Sequence, residues 1–178
     1  MGIVKPYVSI NTLKMIYYSY FHSVMTYGLL LWGHSSESIK IFRLQKKIIR
    51  IMMGYRISDS CRKLFFNLKI LPLPSQYILS LLLFVIRINN QFLVNSEICH
   101  TDTRQHANFH QPSVNLNKYQ KGVYYLDGKV FNKLPTYIKI ESNIPKKFKL
   151  VLEKFLYENS FIIWMNILNF NKVKYIYT

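Results

Sequence analysis

A chain of 178 residues, half of them apolar and 16% aromatic, is long enough to bury a real core, which excludes general disorder. Its 24 Lys and Arg against 8 acids leave a formal charge of +16, an imbalance that points to a polyanionic partner, nucleic acid or an anionic membrane surface. Two cysteines, Cys61 and Cys99, exclude a disulfide framework. The chain is also rich in Lys, Asn, Ile and Tyr, residues that AT-rich coding sequence supplies without selection for charge, so the placement of the cations carries more information than their number. Lys5, Pro6 and Lys14 interrupt any signal-peptide core, and Pro6 stands where a myristoylation start wants Ser or Thr.

A first helix is expected from a cap at Ser9, Asn11 or Thr12 to about Trp32, with Gly33 as its C′ residue. Residues 15–36 carry no formal charge, which raises the question of a membrane span. Tyr17, Tyr18, Ser19, Tyr20, His22, Ser23, Thr26 and Tyr27 crowd the stretch, however, and a buried core helix is favoured. A second helix covers about 36–53, capped by Ser35 or Ser36 with Glu37 in its first turn, and stops at Gly54. At about 100° per residue, Ile41, Leu44, Ile48, Ile49, Ile51 and Met52 spread over one broad face. Lys40, Arg43, Lys46, Lys47 and Arg50 fall on the remaining arc with no acid among them. Ordinary solvated faces mix signs, so a one-sign arc suggests a polyanion contact as well as simple solvation.

Ser58-Asp59-Ser60 offers caps for a short third helix with Leu64, Phe65 and Leu68 inside. Leu71-Pro72-Leu73-Pro74 is a stiff break, and a fourth helix from about 75 to 92, apolar nearly all round, should be the central core helix. Residues 95–120 turn polar and read as a connector with at most a short strand or two. Apolar anchors at Val123-Tyr124-Tyr125 and Val130-Phe131 follow, then a last helix from Asn143 and Pro145 with Phe148, Val151, Leu152, Phe155 and Leu156 as its stripe. The expected fold is mainly α: a helical bundle of about four helices over 1–94, the 95–120 connector, a smaller α or irregular subdomain with minor β over 121–160, and an unassigned tail over 161–178.

Catalytic chemistry is missing from the sequence. Two-metal polymerases and nucleases need closely placed carboxylates, and no two acids are adjacent here. Tyr125-Leu126-Asp127-Gly128 approaches a polymerase-type Tyr-x-Asp-Asp turn but has Gly in place of the second Asp, and reads as a surface turn. There is no phosphate-cradling glycine loop and no His-Glu-x-x-His. Cys99, His100, His106 and His110 raise zinc as a possibility, although Cys99-His100 is too tight for ordinary ligand spacing; no metal and no cofactor is expected. Cys61, beside Arg62 with no evident base, reads as a packing residue.

The ordered series of short elements resembles a known family. Leu13-Lys14, Ile16-Tyr17-Tyr18, Tyr27-Gly28, Leu30-Leu31-Trp32-Gly33, Leu44-Gln45-Lys46-Lys47 and Ile49-Arg50-Ile51 look like the region just after the palm in non-LTR (LINE-type, jockey-like) retrotransposon reverse transcriptases. The likeness continues through Cys61-Arg62, Leu64-Phe65, Leu73-Pro74 and Tyr77, through His100 and Thr103-Arg104, and through Phe131-Asn132, Leu134-Pro135, Ile138-Lys139 and Phe148-Lys149. It covers roughly residues 12–160. His100-Thr101-Asp102-Thr103-Arg104 departs from the family's His-Asn-x-x-Thr-Arg element, and nothing after 160 matches.

The resemblance implies a thumb and C-terminal extension without a palm, whose paired catalytic aspartates would lie upstream. It also implies that one helix lies along the template–primer duplex, which places the contact on Lys40, Arg43, Lys46, Lys47 and Arg50. The leading expectation is therefore a non-catalytic, intracellular (nuclear or cytoplasmic) fragment of an RNA-directed DNA polymerase. It would bind the backbone of RNA or an RNA–DNA hybrid, with a palm supplied in cis in the parent. A small membrane-associated protein with 15–32 as anchor and 40–50 as polybasic flank is the alternative, and an inert truncated remnant is a third reading.

Overall fold

The computed structural model describes residues 8–88, Asn95, residues 108–110 and residues 123–167, with side chains left undescribed at 123–125, 127 and 160–167. The fold is mainly α. Ser9 caps α1 (Ile10–Ile16) by accepting from the Thr12 amide. The chain passes without a break into a π-helical stretch, Tyr17–His22, and then α2, Ser23–Thr26. Ser19, Ser23 and Thr26 each turn a hydroxyl back onto the carbonyl four residues earlier, and such back-bonding loosens a helix where a wider turn occurs.

The expected single helix to Trp32 is broken. Tyr27 turns extended, Gly28 adopts φ +61°, and a separate turn, α3 (Leu29–Trp32), follows. Gly28 thus takes the left-handed role expected of Gly33. Gly33 stays right-handed, and its lack of a side chain serves the close approach of the Tyr77 ring.

Helix α4 (Ser38–Met53) starts two residues later than expected, with no side-chain cap, and Ser38 donates to the Ser35 carbonyl. It ends in a Schellman motif: Gly54 at φ +78°, its amide on Ile51 and the Tyr55 amide on Arg50. Helix α5 (Arg62–Leu68) buries Leu64, Phe65 and Leu68 as expected. The proposed Ser58-Asp59-Ser60 cap is not used, because the Asp59 carboxylate instead accepts the Arg56 amide in the preceding turn. Lys69 closes α5 in the same Schellman geometry at φ +52°, unusual for a residue with a side chain.

Helix α6 (Leu73–Arg87) begins ahead of the expected start, since Pro74 sits in the first turn, where a missing N–H removes no helical bond. It buries Tyr77, Ile78, Leu81, Leu82 and Val85, and α3, α4 and the later helices Val123–Asn132 and Pro145–Ile167 all pack on it. The nearly all-round apolar pattern has this central position as its cause. No single helix among the described residues is long and apolar enough to cross a membrane; α5 and α6 together reach that length and composition only across a bend of 55°.

Beyond the connector, α7 (Val123–Asn132), α8 (Thr136–Ile140), a 3-10 turn (Glu141–Asn143) and α9 (Pro145–Ile167, kinked at Asn159) complete the described chain. The Tyr125-Leu126-Asp127-Gly128 stretch is not a surface turn but lies inside α7, because Leu126, Val130 and Phe131 keep helical register and are buried. The expected stripe of α9 is present, with Phe148, Leu152 and Leu156 fully buried and Val151 and Phe155 at its edge. One hydrophobic cluster takes side chains from α1 to α9, on both sides of the connector. Of that connector only Asn95 and Asn108-Phe109-His110 are described, and no β-strand occurs among the described residues. Asn132 holds Phe109 by its backbone, accepting its amide at 2.9 Å and donating to its carbonyl at 2.8 Å. The Lys139 ammonium, lowered in pKa by burial, donates to the Asn108 side chain and the Asn132 carbonyl.

Candidate nucleic-acid interface

The seam of α4 that faces the core is Phe42, Gln45, Ile49 and Met52, a 3-4-3 spacing that defines one helical face. This corrects the broad apolar face expected from sequence. Leu44 is half exposed, while Ile41, Ile48 and Ile51 are only partly covered. The shift follows from Gln45, a polar residue at a core position. Its Nε2 donates to the Tyr17 hydroxyl at 2.9 Å and to the Leu71 carbonyl at 3.1 Å, and its Oε1 accepts the Leu73 amide at 2.8 Å. Gln45 is completely buried, and these bonds tie α4 to the π-helical stretch and to the start of α6. The Tyr17 phenol is held well above its ordinary pKa, chiefly by burial and despite the Gln45 bond. The pattern treats Gln45 as a break in the apolar stripe; its partners are distant in sequence, which hides its role.

With α4 pinned in this rotation, the five cations separate into two groups. Lys40, Arg43 and Lys47 are exposed and lie three and four residues apart, a single row rising about 10 Å along the helix. Lys40 makes an ion pair of 2.7 Å with Glu37 just before the helix, so the row is not wholly free of acids. Both groups are solvated, and such a pair contributes little.

Lys46 and Arg50 are half-buried and serve the fold. Arg50 Nε donates to the Asp59 carbonyl at 2.8 Å, clamping the loop between α4 and α5. Lys46 Nζ sits 5.4 Å from the Phe42 ring centroid, and its pKa is lowered by burial first and by Arg50 second. Cys61, its thiol pushed up by burial, is packed beneath the same helix with its sulfur 3.6 Å from the Lys46 carbonyl oxygen. That agrees with the packing role read from sequence. Arg56, Arg62, Lys63 and Lys69 extend the exposed basic surface onto the following loop and α5.

Among the described residues no group of three His, Cys, Asp or Glu could hold a metal ion; Cys99, His100 and His106 lie outside them. Fold and site together define a mainly α bundle with an exposed cationic row, its first member paired with Glu37, on a helix that packs on its central one. No family model, no curated protein and no solved structure matches the chain.

Proposed function

We propose that this chain binds the sugar-phosphate backbone of a nucleic-acid duplex along α4, as the non-catalytic thumb portion of a LINE-type RNA-directed DNA polymerase. The observation that carries the reading is the exposed row Lys40, Arg43 and Lys47, held outward by the buried Gln45 network. The family resemblance of the surrounding elements supplies the duplex, an RNA–DNA hybrid, as ligand. Cations at this spacing neutralise phosphates and release counterions, which gives affinity with little sequence preference and strong salt dependence.

The test separates the two groups of cations. Arg43→Glu/Lys47→Glu changes only exposed side chains and should weaken hybrid binding at least about tenfold while reducing the salt slope by about 2. Binding is measured by fluorescence anisotropy from about 50 to 200 mM salt. Unchanged affinity and slope in the double variant would remove α4 as the contact. Arg50 is left out of the variant because its bond to the Asp59 carbonyl makes any loss ambiguous.

A further inference from the structure

The other flank of α4 carries a feature that nucleic-acid binding does not use. Between α4 and the helical stretch that ends in α2 and α3 lies an open groove of about 620 Å³, lined by Tyr20, Val24, Met25, Trp32, Ile41 and Leu44. Met25 forms its floor at 3% exposure, whereas Tyr20 and Val24 on one wall are each 75% exposed and Leu44 on the other is 50% exposed. Leu31, beside Trp32, is 84% exposed. The Trp32 indole N–H is already satisfied by the Tyr27 carbonyl at 2.8 Å, which fixes the ring as an apolar surface. A contiguous apolar patch of this kind marks an interaction surface.

We infer that this groove docks an amphipathic helix of a partner protein, seated by an apolar ridge and carrying acids along one flank. Charge decides the flank. Lys40 and Lys47 stand four residues before and three after Leu44, so they are its neighbours on the helix surface; with Lys40 partly offset by Glu37 at 2.7 Å, Lys47 leaves this rim net positive. The opposite wall, drawn from residues 20–32, has no Lys, Arg, Asp or Glu. An acidic flank therefore meets cations on the α4 side and hydroxyl and apolar groups on the other. A second copy of this chain is excluded as occupant by the same electrostatics, since each copy carries +16. A bilayer fits the shape less well, because the buried Met25 floor lies below the exposed Tyr20, Val24 and Leu44 walls. A ridge of side chains at i, i+3 or i+4, and i+7 reaches it.

The probe is a fluorescent helical peptide of about 18 residues with leucines at that spacing and glutamates on one flank. A second peptide has lysine in place of every glutamate. The full chain should bind the acidic peptide saturably and the lysine peptide at least about tenfold more weakly. Val24→Asp and Leu44→Asp should each weaken the acidic peptide at least about tenfold. Both positions are half exposed or more, so melting by circular dichroism should stay near that of the parent, and Leu44→Ser provides a milder variant. Duplex binding should be unchanged in the uncharged Leu44→Ser and in Val24→Asp on the opposite wall, which separates this inference from the proposed function. Equal binding of the two peptides, or no saturable binding of the acidic one, overturns the inference. Recruitment to phosphatidylserine vesicles that is lost in Leu44→Asp also overturns it, by assigning the patch to a membrane surface.

Discussion

Replacing Gln45 by Met tests the polar joint that sets the rotation of α4. Met fills a similar volume but cannot donate or accept as an amide does. The Leu73 amide and the Leu71 carbonyl, both in buried residues, lose their partners, and the Tyr17 hydroxyl loses its donor. An orphaned buried polar group costs about 1–3 kcal/mol, so the two backbone groups together cost about 2–6 kcal/mol. The more apolar side chain recovers about 1 kcal/mol of this. The expected loss is therefore about 1–5 kcal/mol, which for a chain of this length lowers the melting temperature by about 2–20 °C. Urea denaturation followed by circular dichroism gives the free energy, and an unchanged m-value shows that only stability has moved. Tyr17→Phe removes one partner only and should cost about 1 kcal/mol, with the double variant less destabilised than the sum because the two share a network. A loss below about 1 kcal/mol in Gln45→Met would refute the claim that these bonds organise the site.

Gly33→Ala should also destabilise the fold, by about 1–3 kcal/mol, because an added Cβ would run into the Tyr77 ring and stand 2.6 Å from the Leu29 carbonyl oxygen. A thermal melt of that variant indistinguishable from the parent would mean that α3 and α6 are less closely packed than described. Stability should respond to pH through His22, whose pKa lies below its ordinary 6.5 because burial disfavours the imidazolium, partly offset by a hydrogen bond with Gln76. The unfolded chain then takes up this proton at higher pH than the folded one. The His22 contribution is complete above about 6.5 and declines as pH falls through that value towards the folded-state pKa. Denaturation midpoints between pH 7.5 and about 5 should show a decline that is shallower in His22→Gln; parallel curves would exclude His22 as the source.

Much of the architecture is legible in the chain because its signals are local. The all-round apolar run after Pro74 identifies the central helix, Gly54 ends α4, and the Phe148–Leu152–Leu156 spacing phases α9. Errors arise where a distant partner decides. Gly33 resembles a helix terminator until the Tyr77 ring is placed against it, and the left-handed break falls on Gly28 instead. The apolar face of α4 is misphased because its seam contains Gln45, whose partners lie 26 and 28 residues away. The candidate site was legible as a set of five cations. That Lys46 and Arg50 turn inward to hold Phe42 and the Asp59 loop depends on tertiary contacts no spacing rule encodes.

The same long reach gives the Lys69 carbonyl its role. It accepts the Tyr157 hydroxyl at 2.9 Å, from a phenol whose pKa burial pushes up to about 12, and the Tyr18 hydroxyl at 3.4 Å. During synthesis, α6 leaves the ribosome well before α9, which covers it. At about 5–20 residues per second, the 69 residues between Arg87 and Leu156 take about 3–14 s to add. Over that interval the central helix is without one of its main partners. A nascent chain in this state is a substrate for holdase chaperones, and slowing translation after residue 87 should raise the aggregated fraction without altering the stability of the finished protein.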